Sequence, residues 1–140
     1  MTSVVPGATA LSTVDTTASF ALARLAAHGA ADKKASRIRL LDVGDLLQVT
    51  DVFVICSAAS TRQLDVIIDR VEEVCRAHGH KPLRREGDLT SGWLVLDYGD
   101  VVVHAFTDEQ RAVYDLERLW GDAPVEVIDD TPPQQVATSA

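Results

Sequence analysis

The sequence predicts a single α/β domain with a mixed β-sheet flanked by helices, in the order α-β-β-α-β-β-α-β. Three observations carry this. Val52-Phe-Val-Ile-Cys-Ser57 is a continuous apolar run of strand length, rich in β-branched residues, as in a strand buried on both faces. Ser60-Thr-Arg-Gln63 has the capping-box pattern, and Leu64, Ile67, Ile68, Val71, Val74 and Cys75 follow it at spacings of three and four. Trp93-Leu-Val-Leu-Asp97 and Val101-Val-Val-His-Ala-Phe106 flank the tight turn Asp97-Tyr-Gly-Asp100, as in a β-hairpin. One pair is therefore antiparallel, while other strands need crossovers.

Taken in order, residues 1–14 mix Ser, Thr, Ala, Gly and Pro without an apolar period and read as a mobile tail. They lack the basic start and long apolar run of a signal peptide. A first helix is expected over Ala18–His28, capped by Asp15, Thr16 or Thr17 and ended by Gly29. Residues 30–37 are either an extra turn or an exposed link. Ile38–Val43 reads as a strand and Gly44-Asp45 as a bend, with the buried strand from Val52 after it. The capping-box helix closes at Gly79, the left-handed position. Lys81–Arg85 is a short basic segment entering a turn at Glu86-Gly87. After the hairpin, Thr107-Asp-Glu-Gln110 repeats the capping box and opens a third helix, with Ala112, Val113, Leu116, Leu119 and Trp120 inward and Gly121 as its stop. Pro124–Ile128 reads as a short edge strand, and residues 130–140, with paired prolines, as a second tail. The folded domain is thus expected at 15–129.

Charge narrows the function classes. The 140 residues carry a net charge of −8. Residues 86–130 hold twelve acids against two bases, Arg111 and Arg118. Nucleic-acid-binding proteins normally show the reverse, a basic face that displaces counterions from phosphate. An acidic half suits a basic protein partner, or simply keeps the chain soluble. No stretch approaches the ~20 apolar residues of a membrane span. Two cysteines, Cys56 and Cys75, make no disulfide framework, so a cytoplasmic protein with reduced thiols is the simplest reading. Both thiols lie at core positions and read as inert.

Catalytic signatures are weak. Ser57-Ala-Ala-Ser60 joins a strand to a helix but lacks the glycines of a phosphate cradle, and reads as a capped helix start. Asp97 and Asp100 could share a magnesium ion, although a tight turn tends to send such side chains apart. His78-Gly-His80 has no cysteine at zinc-site spacing. The acidic half also holds Trp93, Tyr114 and Trp120, three of only seven aromatics, together with His104. Rings that anchor among acids that orient describe a protein-interaction surface. Trp93, after the polar Thr90-Ser-Gly92, is expected to be an exposed anchor; Trp120, at an apolar helix position, is core or anchor. Arg111 and Asp115 are spaced as an i,i+4 ion pair.

The sequence also resembles the ribosomal silencing factor family (RsfS, or Iojap) over about residues 38–121. The resemblance rests on Leu41-Asp-Val43, Thr50-Asp-Val-Phe-Val-Ile-Cys-Ser57, Ser60-Thr-Arg-Gln63, Gly79 to Pro82, Arg85-Glu-Gly87, Trp93-Leu-Val-Leu-Asp97, Gly99-Asp-Val-Val-Val-His104, and Arg111 with Tyr114-Asp-Leu-Glu-Arg-Leu-Trp120. Each piece is loose; their order and spacing are specific. The resemblance implies a nucleotidyltransferase-like fold without that active site. It implies a translational repressor, without cofactor, that binds the large ribosomal subunit through its fourteenth protein, a basic β-barrel on the intersubunit face. Such a factor blocks joining of the small subunit under nutrient limitation; in organelles the family serves large-subunit maturation. Trp93 then corresponds to the family's hairpin tryptophan at the docking surface. Asp97, Asp100 and His104 match the hairpin's polar positions, Glu86 the acid beside the glycine, and Tyr114, Glu117 and Trp120 the last helix. Ser57-Ala58-Ala59 departs from the family's glycine-containing turn. The competing expectations are a divergent magnesium-dependent nucleotidyltransferase using Asp97 and Asp100, and a homodimeric acidic adaptor for another basic protein.

Overall fold

The computed structural model describes residues 16–47 and 49–129, so the two predicted tails lie outside the described residues. Its elements are α1 (Thr17–Asp32), β1 (Ser36–Asp42), the one-turn α2 (Gly44–Leu47), β2 (Val52–Ala58), α3 (Thr61–Ala77), β3 (Arg84–Asp88), β4 (Trp93–Asp97), β5 (Val101–Thr107), α4 (Asp108–Tyr114), α5 (Leu116–Leu119) and β6 (Val125–Asp129). The strands form one mixed sheet in the order β3-β4-β5-β2-β1-β6. β2 and β5 pair in parallel at its centre, and the other neighbours are antiparallel. Every residue of β2 is buried, as its unbroken apolar run requires.

The strand alternation gives the sheet two unlike faces. On one, Val52, Val54 and Cys56 of β2 and Val101, Val103 and Ala105 of β5 meet the apolar stripes of α1 and α3. On the other, Leu41, Phe53, Ile55 and Phe106 form a smaller cluster, against which Trp93, Val102, Leu116 and Trp120 are partly buried. Two long helices thus cover one face, while α4 and α5 cover only part of the other.

The cap of α3 forms as expected, with one difference. Ser60 Oγ accepts from the Gln63 amide at 3.1 Å, but Gln63 Oε1 accepts from Ala59, at 2.6 Å, rather than from the cap residue itself. Gln63 Nε2 then donates to the carbonyls of Lys33 and Lys34, both at 3.1 Å, tying the end of α1 to the start of α3. Gly79 takes the left-handed conformation that ends the helix, with φ +90°.

Three expectations need correction. Gly29 does not end the first helix, which continues to Asp32. Its lack of a side chain serves packing instead: a Cβ there would lie 3.1 Å from the Cα of Val71, so α1 and α3 touch backbone to backbone. The expected turn at Glu86-Gly87 is part of an edge strand, β3, whose residues are all exposed. Exposure on both faces leaves no apolar period to read, and only pairing with β4 creates the strand. The third helix is broken at Asp115, which adopts φ +47° and separates α4 from α5. The break turns Val113 and Leu119 outward, at 68% and 67% exposure, and Ala112 is exposed as well. Arg111 goes inside in their place.

Candidate functional site

The less covered face carries the site. Register places Glu86, Val95, His104 and Ile55 in one row across β3, β4, β5 and β2. The next row holds Arg84, Asp97, Val102 and Phe53. Phe53, Trp93, Val95, Val102 and His104 line an open groove of about 690 Å³, bordered by Leu47, Val49 and Leu83 and by the charges of Arg84, Glu86 and Asp97.

Trp93 is the hub of this surface, but it is half-buried rather than the exposed anchor expected from its polar leader. Its ring stacks on Phe106 with centroids 5.0 Å apart and lies 4.4 Å from the Tyr114 ring. Its indole N–H donates to Nδ1 of His104 at 3.2 Å. That bond makes Nδ1 an acceptor, so Nε2 carries the proton of the neutral imidazole. Burial drives the His104 pKa down to about 4, against a weaker opposing pull from Asp97. The His104 ring stands edge-on to Phe53 at 4.6 Å, and its Nε2 is buried without a hydrogen-bond partner.

The remaining expected residues divide. Glu86 is exposed at the groove margin, opposite Val95. Tyr114 is 44% exposed with its ring against Trp93. Asp97 is already engaged: Oδ1 accepts from the Gly99 amide at 2.8 Å, and Oδ2 pairs with Arg84 at 3.2 Å. Asp100 is exposed at the hairpin turn, where its carbonyl accepts from Asp51 and Val52. Trp120 is half-buried, edge-on to Phe53 at 6.4 Å.

Glu117 serves the interior of the domain. It takes both prongs of the Arg111 guanidinium, at 3.0 and 2.9 Å, and a third bond from Arg39 at 2.9 Å. Burial pushes its carboxyl up, but the two guanidiniums outweigh this and hold it below the usual range. The i,i+4 pairing of Arg111 with Asp115 therefore gives way to Glu117, because Asp115 sits at the helix break. Arg111 also donates to the Arg37 carbonyl at 2.6 Å and to Ser57 Oγ at 2.8 Å. Ser57 thus lies in the domain interior.

Sequence reasoning missed Phe53, Val95 and Val102, the groove floor. Val95 and Val102 were legible from hairpin alternation, but Phe53 is hidden in a run apolar on both faces. Both cysteines are buried, and burial pushes the Cys56 thiol up to about 12 against the nearby Arg111, as suits an inert thiol. Among the described residues, no group of three or more His, Cys, Asp or Glu side chains is placed to hold a metal ion. None of the described helices is long and apolar enough to cross a membrane.

Comparison with known proteins places this surface in context. The family model described as "Ribosomal silencing factor during starvation" (RsfS) matches residues 16–140. The ribosomal silencing factor RsfS of Halalkalibacterium halodurans is 39% identical over 103 residues, covering 74% of this chain and 88% of that protein. A mouse relative, named mitochondrial assembly of ribosomal large subunit protein 1, is 32% identical over 93 residues, 63% of this chain and 40% of its own length. A crystal structure of a Chromobacterium violaceum protein superposes with a TM-score of 0.70 at 29% identity, covering 73% of this chain and 85% of that one. A family model spanning the whole described domain, a relative sharing two residues in five and a common fold lead to one conclusion: the chain belongs to the ribosomal silencing factor (RsfS/Iojap) family.

Proposed function

We propose that this protein is a translational repressor that binds the large ribosomal subunit through the groove around Trp93 and occludes the small subunit. The observation that carries the reading is an aromatic groove on a sheet face left partly open by the helices, lined for the greater part by residues 86–130, a segment of twelve acids and two bases. Clustered aromatics supply desolvation energy, and the acids fit a basic partner. The partner expected from the resemblance is the fourteenth large-subunit protein, a basic β-barrel of the intersubunit face. The relatives' names, which speak of ribosome silencing and of large-subunit assembly, support a ribosomal partner. Steric occlusion needs no chemical step, only affinity and position. Glu86, exposed at the groove margin, is the acid best placed to meet a partner cation; Asp97 is already paired with Arg84.

Co-sedimentation with separated ribosomal subunits tests the reading. Wild-type protein is expected to travel with the large subunit alone. Trp93→Ala is expected to lose on the order of 2 kcal/mol of binding, about thirtyfold, as central interface aromatics do. Equal affinity of the two proteins would remove the groove from the docking surface, and no binding by either would end the silencing reading.

A further inference from the structure

We infer that His104 is a positioning residue for Trp93: it fixes the direction of the indole within the docking groove and does not itself meet the partner. This rests on the reading of the groove as the docking surface. His104 is only 8% exposed. Its two nitrogens are both closed to a partner, Nδ1 by the Trp93 indole N–H and Nε2 by complete enclosure. Enclosing Nε2–H without a hydrogen bond destabilises the fold, and a phenylalanine would fill the same space between Phe53 and Trp93 without that cost. What the imidazole adds is an acceptor at one fixed point.

That acceptor supplies what the neighbouring rings cannot. Phe106 stacks on the indole and Tyr114 packs against it at a tilt of 46°, contacts that hold its plane but tolerate sliding and rotation within it. A hydrogen bond at the ring's N–H edge is directional and selects one of those orientations. The half-buried indole then presents a defined edge to the groove before any partner arrives, so less ordering remains to be done on binding.

Two variants and two readouts test this. His104→Phe keeps the ring and removes the acceptor; His104→Asn places a carbonyl oxygen near the position of Nδ1. In ¹⁵N-labelled protein the two tryptophans give two indole N–H signals, and Trp93→Phe identifies that of Trp93. We expect His104→Phe to shift the Trp93 signal upfield and to weaken large-subunit binding roughly five- to tenfold at an unchanged circular-dichroism spectrum. His104→Asn is expected to restore part of both. In a Trp93→Ala background, His104→Phe is expected to cost nothing further, since its effect passes through the indole. A Trp93 signal and affinity unchanged by His104→Phe would overturn the inference while leaving the docking reading intact. An equal loss with and without Trp93 would show that His104 meets the partner directly, and would overturn it too. Trp93→Ala binding like wild type would instead count against the docking reading itself.

Discussion

Arg111 shows how a single residue can be misplaced by pattern and then explained by chemistry. It sits at a helix position where a guanidinium would be expected in solvent, yet its side chain is 7% exposed. The interior accepts it because each prong has a partner: Glu117 on two sides, the Arg37 carbonyl and Ser57 Oγ on the third. A buried charge is tolerable only when so paired, and removing one partner leaves the other exposed to the full desolvation cost. Glu117→Gln is therefore expected to lower unfolding stability by about 2–3 kcal/mol, measured by urea denaturation. Glu73→Gln, which breaks the exposed pair with Arg70, is expected to cost less than about 0.5 kcal/mol. Equal effects of the two would mean that the Arg111 pair is as solvated as a surface one.

Among the elements, glycines mark where backbones meet. Gly29 lets α1 lie directly on the α3 backbone at Val71, so a side chain there must push two helices apart. Gly29→Leu is expected to destabilise by about 1–3 kcal/mol through overpacking, despite the better helix propensity of leucine. A variant as stable as wild type would show that the two helices can separate freely. Gly87 plays the corresponding part in the edge strand: φ is +91°, and a Cβ would collide with the Trp93 carbonyl oxygen. β3 is held to the domain from the other side by Arg85, whose guanidinium reaches Asp65, Asp69 and Glu72 of α3. The strand that borders the groove is thus fixed by a close backbone contact and an ion-pair fan, neither of which an apolar pattern records.

For the molecule as a whole, the unequal faces of the sheet create both the groove around Trp93 and a pH response. The packing that half-buries Trp93 also desolvates His104 and keeps its imidazole neutral. The folded-state pKa of His104, about 4, lies below the unfolded value of about 6.5, so acid favours the unfolded chain. Its contribution is complete above about pH 6.5 and is lost as the pH falls towards 4, amounting to about 3 kcal/mol at most. Asp97, the acid that acts on the imidazole, only moderates this. Urea melts at pH 7, 5.5 and 4.5 are expected to show wild type losing stability faster than His104→Phe over that range. Parallel pH profiles would place the His104 titration in the ordinary range.

The sequence by itself determined the α/β class, the central buried strand, the capped helix α3, the hairpin and the acidic segment. These depend on local periodicity, capping and turn chemistry, or on composition, all of which survive in a linear reading. The family, too, was legible in the order of its short motifs. Tertiary structure decided which face of β2 carries Phe53, that Arg84–Asp88 is a strand, that the last helix breaks at Asp115, and that Glu117 faces Arg111 instead of solvent. Each of these depends on a contact between residues far apart in the chain, where packing and desolvation outweigh local preference. The groove exists for the same reason: α1 and α3 fill one face of the sheet, and the short α4 and α5 leave the other partly open around Trp93.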